Sequence, residues 1–242
     1  NMKPWLIVLF FSFFQSLCAK EPVSVSALRN WIPATVVSEE AVKTYGLDSC
    51  FQILTVSDKV FSRMNGKSYK KGCPVPLSEL RYLKILHRNA QGKPQLGEMV
   101  CNKLIAKTLV KIFRELYAKD YRIERMVLVD DYDADDEKAM TANNSSCFNY
   151  RQVSGSKVLS KHSRGLAVDI NSLYNPCLRV RTGKVEPAAG KKYATGRDTR
   201  KDIPFKIDHN DLCYKLFKAN GFVWGGDWRT VKDYQHFEYN IK

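Results

Sequence analysis

Two stretches decide the fold: Ser160-Lys161-His162-Ser163-Arg164-Gly165-Leu166-Ala167-Val168-Asp169 and, near the end of the chain, Asp233-Tyr234-Gln235-His236-Phe237-Glu238. Strand alternation sends Leu166, Val168 and Ile170 to one face and Ala167 and Asp169 to the other. From His236 to Ile241 the same period gives an apolar face of Phe237, Tyr239 and Ile241 and a polar face of His236, Glu238 and Asn240. Side by side, with their apolar faces packed on helices, the strands bring Asp169 and His236 to one side of a sheet. His162 then reaches the same point from the loop ahead of Gly165. Donors of the types His, Asp and His leave a zinc ion one open position, the arrangement of a catalytic rather than a structural site.

Hydrolysis at such a site needs a base, and Asp233, three residues before His236, is placed to take a proton from water. Glu238 reads either as a carboxylate supporting a ligand or as a surface group. Arg151, which follows Phe148 and Tyr150, is the candidate cation for negative charge developing on an attacked carbonyl.

Working outward, Leu80–His87 and Gln95–Cys101 are joined by the turn residues Asn89-Ala90-Gln91-Gly92-Lys93 and read as a hairpin. His87 reads as a surface side chain at a strand end. Asn102 caps a helix running to about Lys119, with Ile105, Leu109, Ile112, Phe113 and Leu116 inward and Lys103, Lys107, Lys111 and Arg114 outward. A strand is expected over Arg125–Val129. The acidic run from Asp130 to Glu137 fails the calcium-loop pattern, because Asp136 and Ala142 stand where glycine and glutamate are required, and it reads as a solvated loop. Residues 178–204 have the composition of one long loop. Asp208 is expected to cap a short helix with Leu212, Leu216 and Phe217 inward and Gly221 as its stop.

Lys3 and the apolar run Trp5–Phe14 read as a secretory signal, residues 1–19, with cleavage after Ala19. Lipid attachment at Cys18, against which Leu17 argues, and an uncleaved anchor are the alternatives. In an exported chain the six cysteines beyond the signal, Cys50, Cys73, Cys101, Cys147, Cys177 and Cys213, suggest up to three disulfides in any of fifteen pairings. None forms a Cys-x-x-Cys clip, which argues against a cysteine-rich zinc site. Thirty-nine Lys and Arg against 25 Asp and Glu give a net charge of +14. With no recognisable nucleic-acid module, that charge reads as solubility or as attraction to an anionic cell-wall polymer or membrane surface.

The segment Ser160-x-His162-x-x-Gly165-x-Ala167-x-Asp169, followed by Trp224-Gly225-Gly226-Asp227-Trp228 and Asp233-x-x-His236-Phe237-Glu238, resembles the M15 family of zinc D,D-carboxypeptidases. The similarity is strongest to the branch holding D-alanyl-D-alanine carboxypeptidases and L-alanyl-D-glutamate endopeptidases. The resemblance implies His162, Asp169 and His236 as zinc ligands, Asp233 as general base, and Arg151 and Ser160 in contact with substrate or oxyanion. It implies an α+β hedgehog/D,D-peptidase fold, a small antiparallel sheet flanked by helices, over residues 76–242, with residues 20–75 unassigned. The expected activity is hydrolysis of an amide bond in peptidoglycan stem peptides by an exported, envelope-associated enzyme. The cysteines, notably Cys147 and Cys177, lie outside that motif.

Overall fold

The computed structural model describes residues 21–241; the predicted signal segment, residues 1–19, lies outside them. In chain order the helices and strands are α1 (Glu21–Asn30), α2 (Glu39–Tyr45), β1 (Phe51–Thr55), α3 (Asp58–Met64), β2 (Leu80–Arg88), β3 (Pro94–Asn102), α4 (Lys103–Ala118), α5 (Asp136–Thr141), β4 (Ala167–Asp169), β5 (Cys177–Arg179), β6 (Val185–Glu186), α6 (Leu212–Ala219), β7 (Phe222–Trp224), β8 (Val231–Asp233) and β9 (His236–Tyr239). The architecture is α+β. Instead of one small sheet there are three antiparallel sheets, ordered β1-β2-β3, β4-β9-β7 and β6-β5-β8. No helix among the described residues is long and apolar enough to cross a membrane.

The predicted hairpin is β2–β3, in register from Leu80 opposite Asn102 to Arg88 opposite Pro94. Asn102 ends the second strand and starts α4, its Oδ1 accepting from Leu104 N at 3.0 Å. The expected inward stripe of α4 is buried, and Tyr117 joins it. Segment 20–75 contributes to the same core: Ala27 and Leu28 of α1, Val42 of α2 and Phe51 of β1 cluster with Leu109 and Phe113. That cluster extends to Val168 of β4, Phe217 of α6 and Phe237 of β9. Phe217 and Phe237 stack at 4.4 Å, and Phe113 meets Phe217 edge-on at 6.3 Å. The apolar faces of the two deciding strands thus anchor in the core built on α4.

Five expectations change. Arg125–Val129 is extended but forms no strand ladder; it makes an isolated bridge to Asn144, and Met126 O accepts from Glu98 N. His87 is buried, 2 % exposed, because its strand position faces the packed side of the hairpin and not its rim. The acidic run is not uniformly solvated: Asp130 is buried and accepts from Ser68 N and Oγ at 2.9 and 3.0 Å, while Asp135 caps α5. Residues 178–204 contain β6, the end of β5 and a turn at Ala188–Tyr193. They are pinned by the buried Arg197, which donates to Tyr174 O, Tyr193 O and Asn175 Oδ1 and lies over the Tyr234 ring at 4.2 Å. Finally, α6 is capped by Asp211, which accepts from Tyr214 N, while Asp208 closes its own turn onto Asn210 N.

Candidate active site

β4 lies between β9 and an isolated bridge to Ser146, so the backbone of Asp169 is held from both sides. In the ladder Asp169 stands opposite His236, Val168 opposite Phe237 and Ala167 opposite Glu238. The alternation read from the sequence therefore places Asp169 and His236 on the face away from the core. His162 comes from a single turn, Lys161–Arg164, whose first N–H groups need an acceptor. Ser160 Oγ supplies it to His162 N at 3.2 Å. Gly165 closes the turn at φ +65°, where a Cβ would meet Asn102 N at 2.6 Å. That contact is needed, because Asn102 N donates to Gly165 O and Asn102 Nδ2 to Arg164 O. The capping residue of α4 thus also seats the His162 turn.

The three side chains meet. His162 Nε2 is 3.2 Å from Asp169 Oδ2 and 3.2 Å from His236 Nδ1, and His236 Nδ1 is 3.0 Å from Asp169 Oδ1. Each histidine has a proton acceptor on its far nitrogen. His162 Nδ1 donates to Cys147 O at 2.6 Å, and His236 Nε2 faces Glu238 Oε2 at 3.2 Å. In their neutral forms the two imidazoles would then present their near nitrogens as lone pairs to one point shared with a carboxylate. Such a set repels itself unless a cation sits within it. Donors around a tetrahedral zinc, at about 2.0–2.1 Å from the ion, are roughly 3.3 Å apart, so the spacing fits. Glu238 is a supporting carboxylate on His236, not a surface group.

The electrostatics agree with a demand for positive charge. Burial disfavours ionised Asp169, yet the two imidazoles outweigh it and hold the carboxyl well below its usual range. Burial also opposes charge on His236, and Asp169 and Glu238 overcome it, pushing the imidazole well above its ordinary value.

Asp233 ends β8. Gly225 lets it approach, since a Cβ there would meet Asp233 O at 2.6 Å and Asp233 Cβ at 2.8 Å. Its Oδ1 is buried without a partner, and burial, offset in part by His236, raises its pKa above the usual carboxylate range. A carboxylate so tuned is suited to accept a proton near neutrality. Asp233, Arg151, Ser160 and the three donors line one cavity of about 790 Å³. Its wall also includes Trp228, whose ring lies 5.3 Å from that of His236.

Two sequence expectations are qualified by these contacts. Ser160 lines the cavity, but its oxygen caps the His162 turn. Arg151 faces the cavity in an ion pair with Asp136, which also accepts from Asn149 Nδ2 at 2.9 Å. Sequence reading missed Asp136 because it took the acidic run for a solvated loop. The suggested disulfides are not formed: all six described cysteines are free. Cys50, Cys101, Cys147 and Cys213 are buried as small apolar groups, and Cys177 lies in the cavity wall.

Residues 154–239 match the family model described as D-alanyl-D-alanine carboxypeptidase. Over this segment the chain resembles the M15 peptidases. The matched segment contains His162, Asp169, Asp233 and His236 and begins three residues after Arg151. No curated protein and no solved structure matches the chain.

Proposed function

We propose that the protein is a zinc metallopeptidase that hydrolyses an amide bond in peptidoglycan stem peptides, most directly by removing a terminal D-alanine, and that it acts outside the cytoplasm. The observation that carries the reading is the convergence of His162, Asp169 and His236 with the unpartnered Asp233 in one cavity. The assignment of the fold to the hedgehog/D,D-peptidase architecture, with residues 76–242 as the catalytic domain, belongs to the same proposal.

His162, Asp169 and His236 would hold the zinc, which supplies a Lewis acid for a carbonyl oxygen and acidifies water. Asp233 takes a proton from the attacking water as the C–O bond forms and passes it to the leaving amine as the C–N bond then breaks. Arg151, steadied by Asp136, offers its guanidinium to the carbonyl oxygen as negative charge develops there. Lys161 lines the cavity with no carboxylate ion-paired to it among the described residues; its Nζ donates to Asn240 Oδ1 at 2.8 Å. It is available to a substrate's terminal carboxylate, which favours removal of the last residue over cleavage within the stem.

Incubation of the zinc-loaded protein with defined muropeptides, followed by mass analysis, tests the reading. Loss of one D-alanine is expected, with a higher KM in Lys161→Ala. Cleavage between L-alanine and D-glutamate would instead establish an endopeptidase, and absence of any product a binding module.

A further inference from the structure

Arg151 lies on a segment, residues 147–151, that belongs to no helix and no strand ladder. Every second residue of it nevertheless meets the His162 turn. Cys147 O accepts from His162 Nδ1 at 2.6 Å, Asn149 N donates to His162 O at 3.1 Å, and Arg151 N donates to Ser163 Oγ at 2.9 Å. The period is that of a strand, but at Arg151 a side chain has taken over from the backbone as partner.

That side chain works in both directions. Ser163 Oγ also donates to Arg151 O at 2.6 Å, nearer than Asn149 O at 3.5 Å. A hydroxyl has one proton to give and lone pairs to receive. Here both are used on the backbone of a single residue, as the N–H and C=O of a ladder partner would be. Ser163 is fully buried, so water does not compete for these bonds, and it is the chain neighbour of the metal donor His162.

The guanidinium is steered from its other end. Asp136 forms an ion pair with it and is held in turn by Asn149 Nδ2 at 2.9 Å. Asp136 therefore directs the charge, while Ser163 fixes the point from which the long side chain starts. The segment has a second tether, because Ser160 N donates to Arg151 O at 3.1 Å. Loss of the hydroxyl would leave residues 147–151 seated and Arg151 N without its acceptor.

We propose that Ser163 is a positioning residue for the reaction: its hydroxyl locks the backbone of Arg151 to the His162 turn and so sets the reach of the guanidinium to the scissile carbonyl. This rests on the peptidase reading and holds whichever stem bond is cut. Negative charge gathers on the carbonyl oxygen only as attack begins, so correct placement of Arg151 acts on kcat and not on substrate binding.

The test uses the zinc-loaded full chain and one stem peptide. Arg151→Ala should lower kcat by about 10²–10³-fold. Ser163→Ala should lower it by about tenfold to a hundredfold, with KM and zinc content unchanged. The two changes together should lower kcat no further than Arg151→Ala alone, because the hydroxyl acts through the guanidinium; a merely structural role would make the losses multiply. Ser163→Cys, close in size but with a weakly hydrogen-bonding thiol, should behave as the Ala variant does and replaces it if that variant fails to fold. Unchanged kcat in these variants, or multiplied losses in the double variant, overturns the proposal. If the unaltered protein cuts no stem peptide, the peptidase reading fails on its own account, and calorimetric titration with a phosphinate analogue of the tetrahedral intermediate decides the placement of Arg151. Weaker binding in Ser163→Ala, with the same non-additivity, supports it; affinity that Ser163→Ala leaves unchanged, or no binding to the unaltered protein, overturns it.

Discussion

Asp169 and His236 stand directly opposite each other in the β4–β9 ladder, and their side chains meet at 3.0 Å between Oδ1 and Nδ1. Because the ladder sets this pair and the Ser160-capped turn adds His162, the metal donors are built into backbone geometry. Replacing His162 and His236 together by Ala should therefore reduce zinc, measured by elemental analysis, from near-stoichiometric to background. Zinc at a hundred times its Kd should stabilise the unaltered protein by about 2.7 kcal/mol, read as a rise in Tm that the double variant lacks.

Asp233→Ala should separate metal binding from turnover. Asp233 touches none of the three donors through a hydrogen bond in this structure, so zinc content should persist. The value of kcat should fall by about 10²–10⁴-fold, the usual contribution of a positioned base. Loss of zinc in this variant would instead make Asp233 a ligand.

Arg197 carries the segment between β6 and α6. The residue is 5 % exposed, and its guanidinium donates to Tyr174 O, Tyr193 O, Asn175 Oδ1 and Ile207 O and lies over Tyr234. Burial lowers its pKa to about 10, which leaves it charged at neutral pH. Arg197→Met should destabilise the fold by roughly 3 kcal/mol in denaturant unfolding, because it orphans buried acceptors.

His87 gives a pH dependence outside the active site. Its Nδ1–H donates to Ile123 O at 2.8 Å and its Nε2 has no partner. Burial, opposed in part by that hydrogen bond, lowers its pKa from 6.5 to about 4. The unfolded chain then binds a proton that the folded one refuses, so the contribution is fully present above pH 6.5 and is lost as pH falls towards 4. The loss should be on the order of 3 kcal/mol. A His87→Gln variant should show a flatter stability profile over that window in unfolding titrations.

The features legible in the sequence were those set by local period and local caps. Strand alternation placed Asp169 and His236 on one face, and Asn102 with the stripe from Ile105 to Leu116 defined α4. What escaped depended on partners far along the chain. The burial of His87 follows from Ile123 covering its strand, the role of Asp136 from Arg151 reaching it, and the order of residues 178–204 from Arg197 finding carbonyls at Tyr174 and Ile207. The α6 cap was misplaced because Asp208 and Asp211 have the same local chemistry, and only the start of the packed face at Leu212 and Cys213 chooses between them.

The two faces of β9 are one residue out of phase, with Phe237 stacked on Phe217 in the core and His236 and Glu238 on the other side. A slip of this strand by a single residue would turn the aromatic ring into the cavity and the imidazole into the core. No misregistered form can keep the donor set while losing the packing, or the reverse. Zinc uptake per chain should therefore report folding quality for any variant that keeps His162, Asp169 and His236, including those altered far from the cavity.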